Sequence, residues 1–446
     1  MSGPMLLAWS ARDERAEPRL RRKILDELAR HPGHSERLDR LLDDHRDPDL
    51  PVRGVAVVNG ADPTDPTDPT DQALAAVRDA AVRTVARHGP PRPVALMLDG
   101  HGAQHVRMGA QLYGAEPEFT RWMDHVFAAF GAHGGVLRTD WLAEHPVIPV
   151  DAAERGQPLL FALGYALART VESWGVRPAA LVGHSVGELA AAAVAGVIDP
   201  ADAASLLAAR GAAYRDAVPG GLLAVAAPAG QLTKFLDGEV CVGVVNGPHQ
   251  TMLAGTEEGL DSVAPRLKAA GYTAIRARIP LPFHSPLLAP LAETSQAALA
   301  RTVLRPPGTD VYSTITARRL RPEEATDPAF WSAQVCRPVL FGPALDALLS
   351  ERDVLLIEAG PGRMLTNLAR RHAAVVEGRS AVAAMLPQRQ GGPGADRRAL
   401  LDAAAACWLE GHPLDWRAVS VRGDVSHSGR RQGAVPPTGD SRDVPA

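Results

Sequence analysis

Gly183-His184-Ser185-Val186-Gly187, followed by Glu188, forms a G-x-S-x-G pentapeptide. The apolar run Ala179–Val182 precedes it, and a helix-forming run, Leu189–Ala195, follows. Strand, tight turn and helix in that order are the context of a nucleophile elbow. The glycines let the chain turn sharply and leave room around the hydroxyl. Ser185 then stands at the N-terminus of a helix, where free N–H groups and the positive end of the helix dipole favour a developing oxyanion. The chemistry expected is attack of a serine hydroxyl on an acyl group. A serine hydroxyl is a weak nucleophile, so an adjacent base is required. A glycine-rich turn arising by chance gives the same pentapeptide; the flanking strand and helix are what favour catalysis.

The chain around this turn has 446 residues, enough for two or three domains. Hydrophobic residues make up 46% and charged residues 22%, as in globular proteins. The formal net charge of -4 points to neither a nucleic-acid nor an anionic-membrane partner. Three scattered cysteines, Cys241, Cys336 and Cys407, have no metal-site spacing, so neither a disulfide scaffold nor a metal site is expected. The N-terminus lacks an apolar signal core and the chain lacks a run of ~18 apolar residues. A cytoplasmic enzyme is expected.

The elements that must hold the elbow are legible in outline. Residues 1–90 read as a small α+β unit. Leu20, Ile24, Leu25 and Leu28 recur at helical spacing, Val52–Val58 is a strand, and Leu74, Val77, Ala81 and Val85 predict a second helix. Between them an Asp-Pro-Thr repeat from Asp62 to Asp71 predicts a loop. A Gly89-Pro90-Pro91 break marks a boundary. Val94–Leu98 is a buried strand leading into Asp99-Gly100-His101-Gly102, and Phe161–Trp174 a helix feeding the elbow. A helix over Ala201–Val218 carries Arg210. Strands over Leu222–Ala227, Val240–Val245, Thr251–Ala254 and Thr273–Ile279 enclose helices over Gln231–Asp237 and Glu257–Ala270. That βαββαβ order predicts a ferredoxin-like unit inserted into the α/β unit. The α/β pattern resumes with strands Val311–Ile315 and Val354–Ile357, a helix from Met364 and another over Leu400–Trp408. From about Ser420 the composition is that of a disordered tail.

Several spaced motifs resemble one family, the malonyl-CoA:acyl-carrier-protein transacylases, and within it the acyltransferase domains of modular polyketide synthases. They are G-H-S-V-G-E at the elbow, Gln157-Pro158 before an apolar helix, Asn246-Gly247-Pro248, Phe283-His284-Ser285-Pro286 and Glu358-Ala359-Gly360-Pro361. The resemblance covers roughly residues 1–417. It implies an α/β-hydrolase-like large subdomain with an inserted ferredoxin-like (βαββαβ) small subdomain, preceded by a small α+β linker domain. The expected boundaries are 1–90 for a ketosynthase-to-acyltransferase linker, 91–218 with 284–390 for the core, and 219–283 for the ferredoxin-like subdomain. A post-acyltransferase segment, 391–419, and a tail, 420–446, complete the chain.

The same resemblance implies roles. Ser185 is the nucleophile and His284 its base, oriented by a backbone carbonyl rather than an acid. Arg210, 25 residues after Ser185, falls where the family binds a substrate carboxylate, in keeping with a bidentate guanidinium. Gln157, His184 and Phe283 are expected at the substrate. The oxyanion hole is expected from the backbone N–H groups of Val186 and His101. The family's turn is P-G-Q-G or S-G-Q-G; here it is Asp99-Gly100-His101-Gly102, with histidine in the glutamine's place. Malonyl-selective relatives carry H-A-F-H and methylmalonyl-selective ones Y-A-S-H. Leu281-Pro282-Phe283-His284 shares the phenylalanine of the first, and a malonyl unit is expected. The implied donor is malonyl-CoA or a related coenzyme A thioester, the implied acceptor an acyl carrier protein, and no bound cofactor or metal is implied.

Other readings share parts of the pattern: a hydrolase clearing acyl groups from carriers, a transferase of an unusual acyl group, a non-catalytic docking module, and a generic esterase. Arg210 speaks for a carboxylated substrate, and Ser185 with His284 for catalysis. Neither a ketosynthase nor the carrier D-S-L motif occurs in the sequence, so delivery to a separate carrier is expected, with Arg363, Arg370 and Arg371 as a candidate positive patch.

Overall fold

The computed structural model describes residues 3–31, 36–58, 68–85 and 90–420. Most of the Asp-Pro-Thr repeat, Gly89 of the predicted break and the predicted tail from residue 421 lie outside them. Among the described residues thirteen strands form three sheets. The first holds β1 (Met5–Ala11), β2 (Val52–Val58) and β3 (Ala81–Thr84). The second contains β4 (Val94–Leu98) and β5 (Ala180–Gly183). The third is built from β6 (Gly220–Val225), β7 (Val240–Gly247), β8 (Gln250–Thr256) and β9 (Ala274–Arg276). The second sheet is completed by β10 (Asp310–Ser313), β11 (Arg318–Arg319), β12 (Leu355–Glu358) and β13 (Ala381–Ala384).

The six-stranded sheet has the order β11-β10-β5-β4-β12-β13. Every neighbouring pair is parallel except β10 with β11. All residues of β4, β5 and β12 are buried. Their near-continuous apolar sequences are what a parallel sheet covered on both faces demands. The helix Ala153–Ser173, buried along nearly its whole length, covers one face. Successive strands run outward from β4 through β5 to β10 in one direction, and from β12 to β13 in the other. The order therefore reverses between β4 and β12, and a crevice opens at their carboxyl ends. The turns at Asp99 and Ala359 flank that crevice, and the elbow after β5 lies beside it.

The third sheet is antiparallel with the order β7-β8-β6-β9. Numbered within the insertion this is 2-3-1-4, the arrangement expected from the βαββαβ pattern. Val245 N–H donates to the Val339 carbonyl and Val339 N–H to the Gly243 carbonyl, which fastens β7 to the returning chain.

Some element bounds differ from the sequence expectation. The predicted second N-terminal helix runs Pro69–Arg78, third after Glu17–Arg30 and Glu36–Asp43, and Ala81–Thr84 pairs with β2 instead of continuing it. Ala81 and Val85 fit a helical period, but the free edge of β2 takes up that stretch. The end of the repeat is not a loop: Asp68 caps this helix by accepting from Thr70 N–H at 2.7 Å. The helix before the elbow starts at Ala153 rather than Phe161, which places Gln157 on it. The predicted Gln231–Asp237 helix is a single turn, Ala229–Leu232, followed by a 3-10 turn, and β9 spans only Ala274–Arg276. No helix among the described residues is long and apolar enough to cross a membrane.

Candidate active site

The elbow is sterically closed around its glycines. A Cβ on Gly183 would overlap the Gly187 carbonyl, and one on Gly187 would overlap the Leu98 carbonyl at the end of β4. His184 N–H donates to that same Leu98 carbonyl at 2.9 Å. Ser185 is thereby forced to φ 55° and ψ -118°, a conformation that a non-glycine residue adopts only when its surroundings impose it. It is the N-cap of the helix Val186–Val194. The first N–H groups of that helix have no intrahelical acceptor, and the Val186 N–H is among them.

Ser185 Oγ lies 2.8 Å from His284 Nε2. The other ring nitrogen, Nδ1, is 3.0 Å from the Arg337 carbonyl and 3.2 Å from the Gln334 carbonyl. A carbonyl only accepts, so Nδ1 carries the proton and Nε2 presents a lone pair to the serine hydroxyl. His284 also has positive φ, 65°, and its N–H donates to the Val335 carbonyl. Burial, with the neighbouring His184 and Arg210, holds its pKa down to about 4 despite the two carbonyls. The imidazole is therefore neutral near pH 7, the form a general base needs.

His184 points its Nε2 at Asn246 Oδ1, 3.0 Å away, and burial keeps it neutral with a pKa of about 4. Glu188 is fully buried; its carboxylate accepts from Thr314 Oγ1 at 2.5 Å and Thr314 N–H at 3.2 Å. Burial raises its pKa to about 7.

Arg210 is 3% exposed. Nε donates to Ser295 Oγ, Nη1 to Gln334 Oε1 and Nη2 to the Trp331 carbonyl, at 3.0, 3.1 and 2.9 Å. Gln334 passes the link on, its Nε2 donating to the Ser185 carbonyl at 2.9 Å. Arg210 has no carboxylate partner among the described residues, and burial lowers its pKa. A guanidinium has five N–H groups, so two remain for a ligand. Gln157 is buried and accepts from the Tyr214 hydroxyl at 2.7 Å. Phe283 packs edge-on against Tyr214, ring centroids 5.5 Å apart.

A cavity of about 600 Å³ opens onto Ser185 and His284. His101 and His184 line it from the large unit, Leu222 and Met252 from the third sheet, and Phe283 from the chain leading back to the large unit. Its described lining includes neither Arg210 nor Gln157, which connect to the site through Gln334 and Tyr214. His101 sits at the turn after β4; both of its ring nitrogens are buried without a hydrogen-bond partner, and burial lowers its pKa. Gln334 and Ser295 escape the sequence reading. Gln334 lies 149 residues from Ser185, and no local pattern marks it. Asn246 is visible in the sequence only as part of a turn motif.

A serine at an elbow, a neutral imidazole held by carbonyls and a buried guanidinium with no carboxylate partner among the described residues are groups that serine acyl transfer would use. Residues 97–405 match the acyl transferase domain family. The chain belongs to that family, and is an acyltransferase of the polyketide-synthase type. One component of the phenolphthiocerol/phthiocerol polyketide synthase of Mycobacterium tuberculosis (strain CDC 1551 / Oshkosh) is 33% identical over 323 residues, 72% of this chain and 22% of that protein. The chain thus spans under a quarter of that relative's length. Among solved structures, the acyl transferase domain of SpnD, in complex with 2-(pent-4-yn-1-yl)malonyl, matches with a TM-score of 0.80 and 29% identity. That match covers 94% of this chain and 98% of the other. The acyltransferase domain from the second module of the salinomycin polyketide synthase matches with a TM-score of 0.73 and 32% identity, over 92% and 94%.

Proposed function

We propose that this protein moves a malonyl-type unit from coenzyme A to the phosphopantetheine thiol of an acyl carrier protein through an ester on Ser185. The observation that carries the reading is the 2.8 Å contact between Ser185 Oγ and His284 Nε2, with His284 Nδ1 held by carbonyls. In the first half-reaction Ser185 Oγ attacks the thioester carbon while its proton passes to His284 Nε2. The C–S bond breaks and the departing coenzyme A sulfur takes that proton. In the second half-reaction the carrier thiol gives its proton to His284 and its sulfur attacks the ester carbon; the ester C–O bond breaks and Ser185 Oγ leaves, taking the proton back from His284. The N–H groups of Val186 and His101 hold the oxyanion. No step calls for a metal or a bound cofactor.

Arg210 is the counter-charge for the substrate carboxylate, a role supported by its burial without an acidic partner. Engagement uses its two remaining N–H groups, with Gln157 and His184 shaping the surroundings. Phe283 crowds the α-carbon, which favours malonyl over methylmalonyl by roughly 1–3 kcal/mol, the worth of one methyl group. The SpnD relative is in complex with an α-substituted malonyl group, so the fold alone does not dictate the choice between malonyl and its α-substituted forms. The same reading divides the chain into a linker unit at 1–90, a core at 91–218 and 284–390, a ferredoxin-like unit at 219–283 and a following segment at 391–419.

Incubation with malonyl-CoA is expected to add one malonyl mass, with peptide mapping to Ser185 and no label on Ser185→Ala. Addition of free carrier proteins then moves the mass to a carrier faster than it is lost to water. A label elsewhere sinks the reading, and release only to water favours an acyl hydrolase.

A further inference from the structure

Asp99 opens the turn that carries His101, and its environment is unusual. It is 3% exposed, and no N–H or O–H group of the other described residues donates to either carboxyl oxygen. A Cβ on Gly360, in the turn after β12, would overlap its carboxylate. Within hydrogen-bonding reach lies Glu358, wholly buried at the end of β12, the strand paired with β4.

The two carboxyl groups are not equivalent. Glu358 Oε1 accepts from Leu365 N–H at 3.0 Å and Oε2 from Thr366 N–H at 2.8 Å, in the first turn of the helix Met364–Ala369. These amides occupy a lone pair on each Glu358 oxygen. Nothing donates to Asp99. Two ionised carboxylates cannot touch in a dry interior, so the pair holds one proton. The oxygens of Asp99 accept from no N–H or O–H, so the proton sits there and can be donated to a free lone pair of Glu358. Burial and the Glu358 charge accordingly push the Asp99 carboxyl well above the usual carboxylate range. The other titratable groups nearby are the imidazoles of His184, against which Gly100 packs, and His101 in the same turn; burial holds both toward the neutral form.

We propose that Asp99 is a positioning residue that stays protonated and donates a hydrogen bond to Glu358, fastening the oxyanion turn to the turn after β12. The bond joins the loop bearing the His101 N–H to the helix whose Met364 lines the catalytic cavity. Losing the proton sets two charges against each other beneath the oxyanion site. The turn then shifts, and acylation slows at alkaline pH. The kinetic consequence rests on the acyl-Ser185 reading; the protonation itself does not.

The test combines two readouts. The first is the single-turnover rate of Ser185 acylation by malonyl-CoA from neutral to alkaline pH in the wild type, Asp99→Asn and Asp99→Ala. The wild type is expected to lose roughly tenfold or more on the alkaline side, as for a buried hydrogen bond broken. Asp99→Asn, a donor without a titratable proton, recovers most of the rate that Asp99→Ala loses and removes the alkaline limb. The second readout needs no substrate. Difference infrared spectra of the wild type should show a protonated-carboxyl band persisting above the Glu188 titration and absent from Asp99→Asn. Superimposable pH profiles, an Asp99→Asn as slow as Asp99→Ala, or a missing band would each overturn the proposal. If no variant and no wild type is acylated, the acyl-serine reading fails and the band alone decides. If Asp99→Asn does not fold, the pH titration of the band in the wild type decides.

Discussion

At the scale of single residues, the proposed chemistry needs one buried imidazole kept neutral and one buried guanidinium kept charged. In the proposed mechanism His284 must be unprotonated to accept the Ser185 proton. Its pKa is lowered, so the competent form persists as pH falls and is lost only on passing through about 4. The acid limb of single-turnover acylation is therefore expected well below the ordinary imidazole pKa of about 6.5. A midpoint at the ordinary value would show that His284 is solvated when it works. His284→Ala should slow acylation by about 10²–10⁴, the usual worth of a positioned base. Arg210 makes the opposite demand. On the proposed role, Arg210→Ala deletes a charge-assisted pair with the substrate carboxylate, with an expected cost on the order of 2–4 kcal/mol, or ~30- to 1000-fold in malonyl transfer. Acetyl transfer lacks that carboxylate and should be spared in Arg210→Ala. Equal loss with both acyl groups would mean that Arg210 only braces Gln334, Ser295 and the Trp331 carbonyl.

At the scale of elements, the elbow works because two backbones meet at glycine. Gly187 has no space for a side chain against the Leu98 carbonyl, so Gly187→Ala must push the helix Val186–Val194 away from β4. A destabilisation of about 1–3 kcal/mol in urea unfolding is expected, together with loss of Ser185 labelling. A Gly187→Ala variant that folds and labels normally would show that the contact is not what sets the turn. This crowding also explains what is legible in the sequence. The elbow, β4, β12 and the helix Glu257–Ala269 have local signatures, because glycine, apolar runs and helical spacing are dictated by immediate neighbours. The end of the Pro69–Arg78 helix is not legible in this way, because β2, distant in sequence, recruits Ala81–Thr84. Gln334 is invisible for a similar reason. Its side chain bridges Arg210 and the Ser185 carbonyl, and its own carbonyl helps hold His284, but each partner comes from another segment. His101 can be placed in its turn, while the lack of a hydrogen-bond partner for its ring nitrogens among the described residues emerges only from the packing.

At the scale of the whole molecule, the first sheet and the last long helix are one mechanical unit with the catalytic core. Leu6, Ala8 and Val55 share a buried cluster with Leu400, Trp408 and the helix Ala153–Ser173. Arg53 of β2 is buried, its side chain 4.3 Å over the Trp408 ring. It donates to the carbonyls of Trp408, His412 and Pro48 at 2.9, 3.0 and 2.6 Å. Glu410 adds ion pairs to Arg83 of β3 and to Arg92, which precedes β4. Burial lowers the Arg53 pKa to about 10, still far above neutral, so the clamp stays charged. Arg53→Met keeps much of the side-chain volume but leaves three carbonyls without their donor, a cost on the order of 2–4 kcal/mol. Because the apolar cluster crosses from β1 and β2 into the core, that loss should be felt by the whole chain. Denaturant unfolding should remain a single transition with an unchanged slope and a lower midpoint. An early separate transition, with the main one unmoved, would instead mean that the first sheet is an independent unit resting on the core.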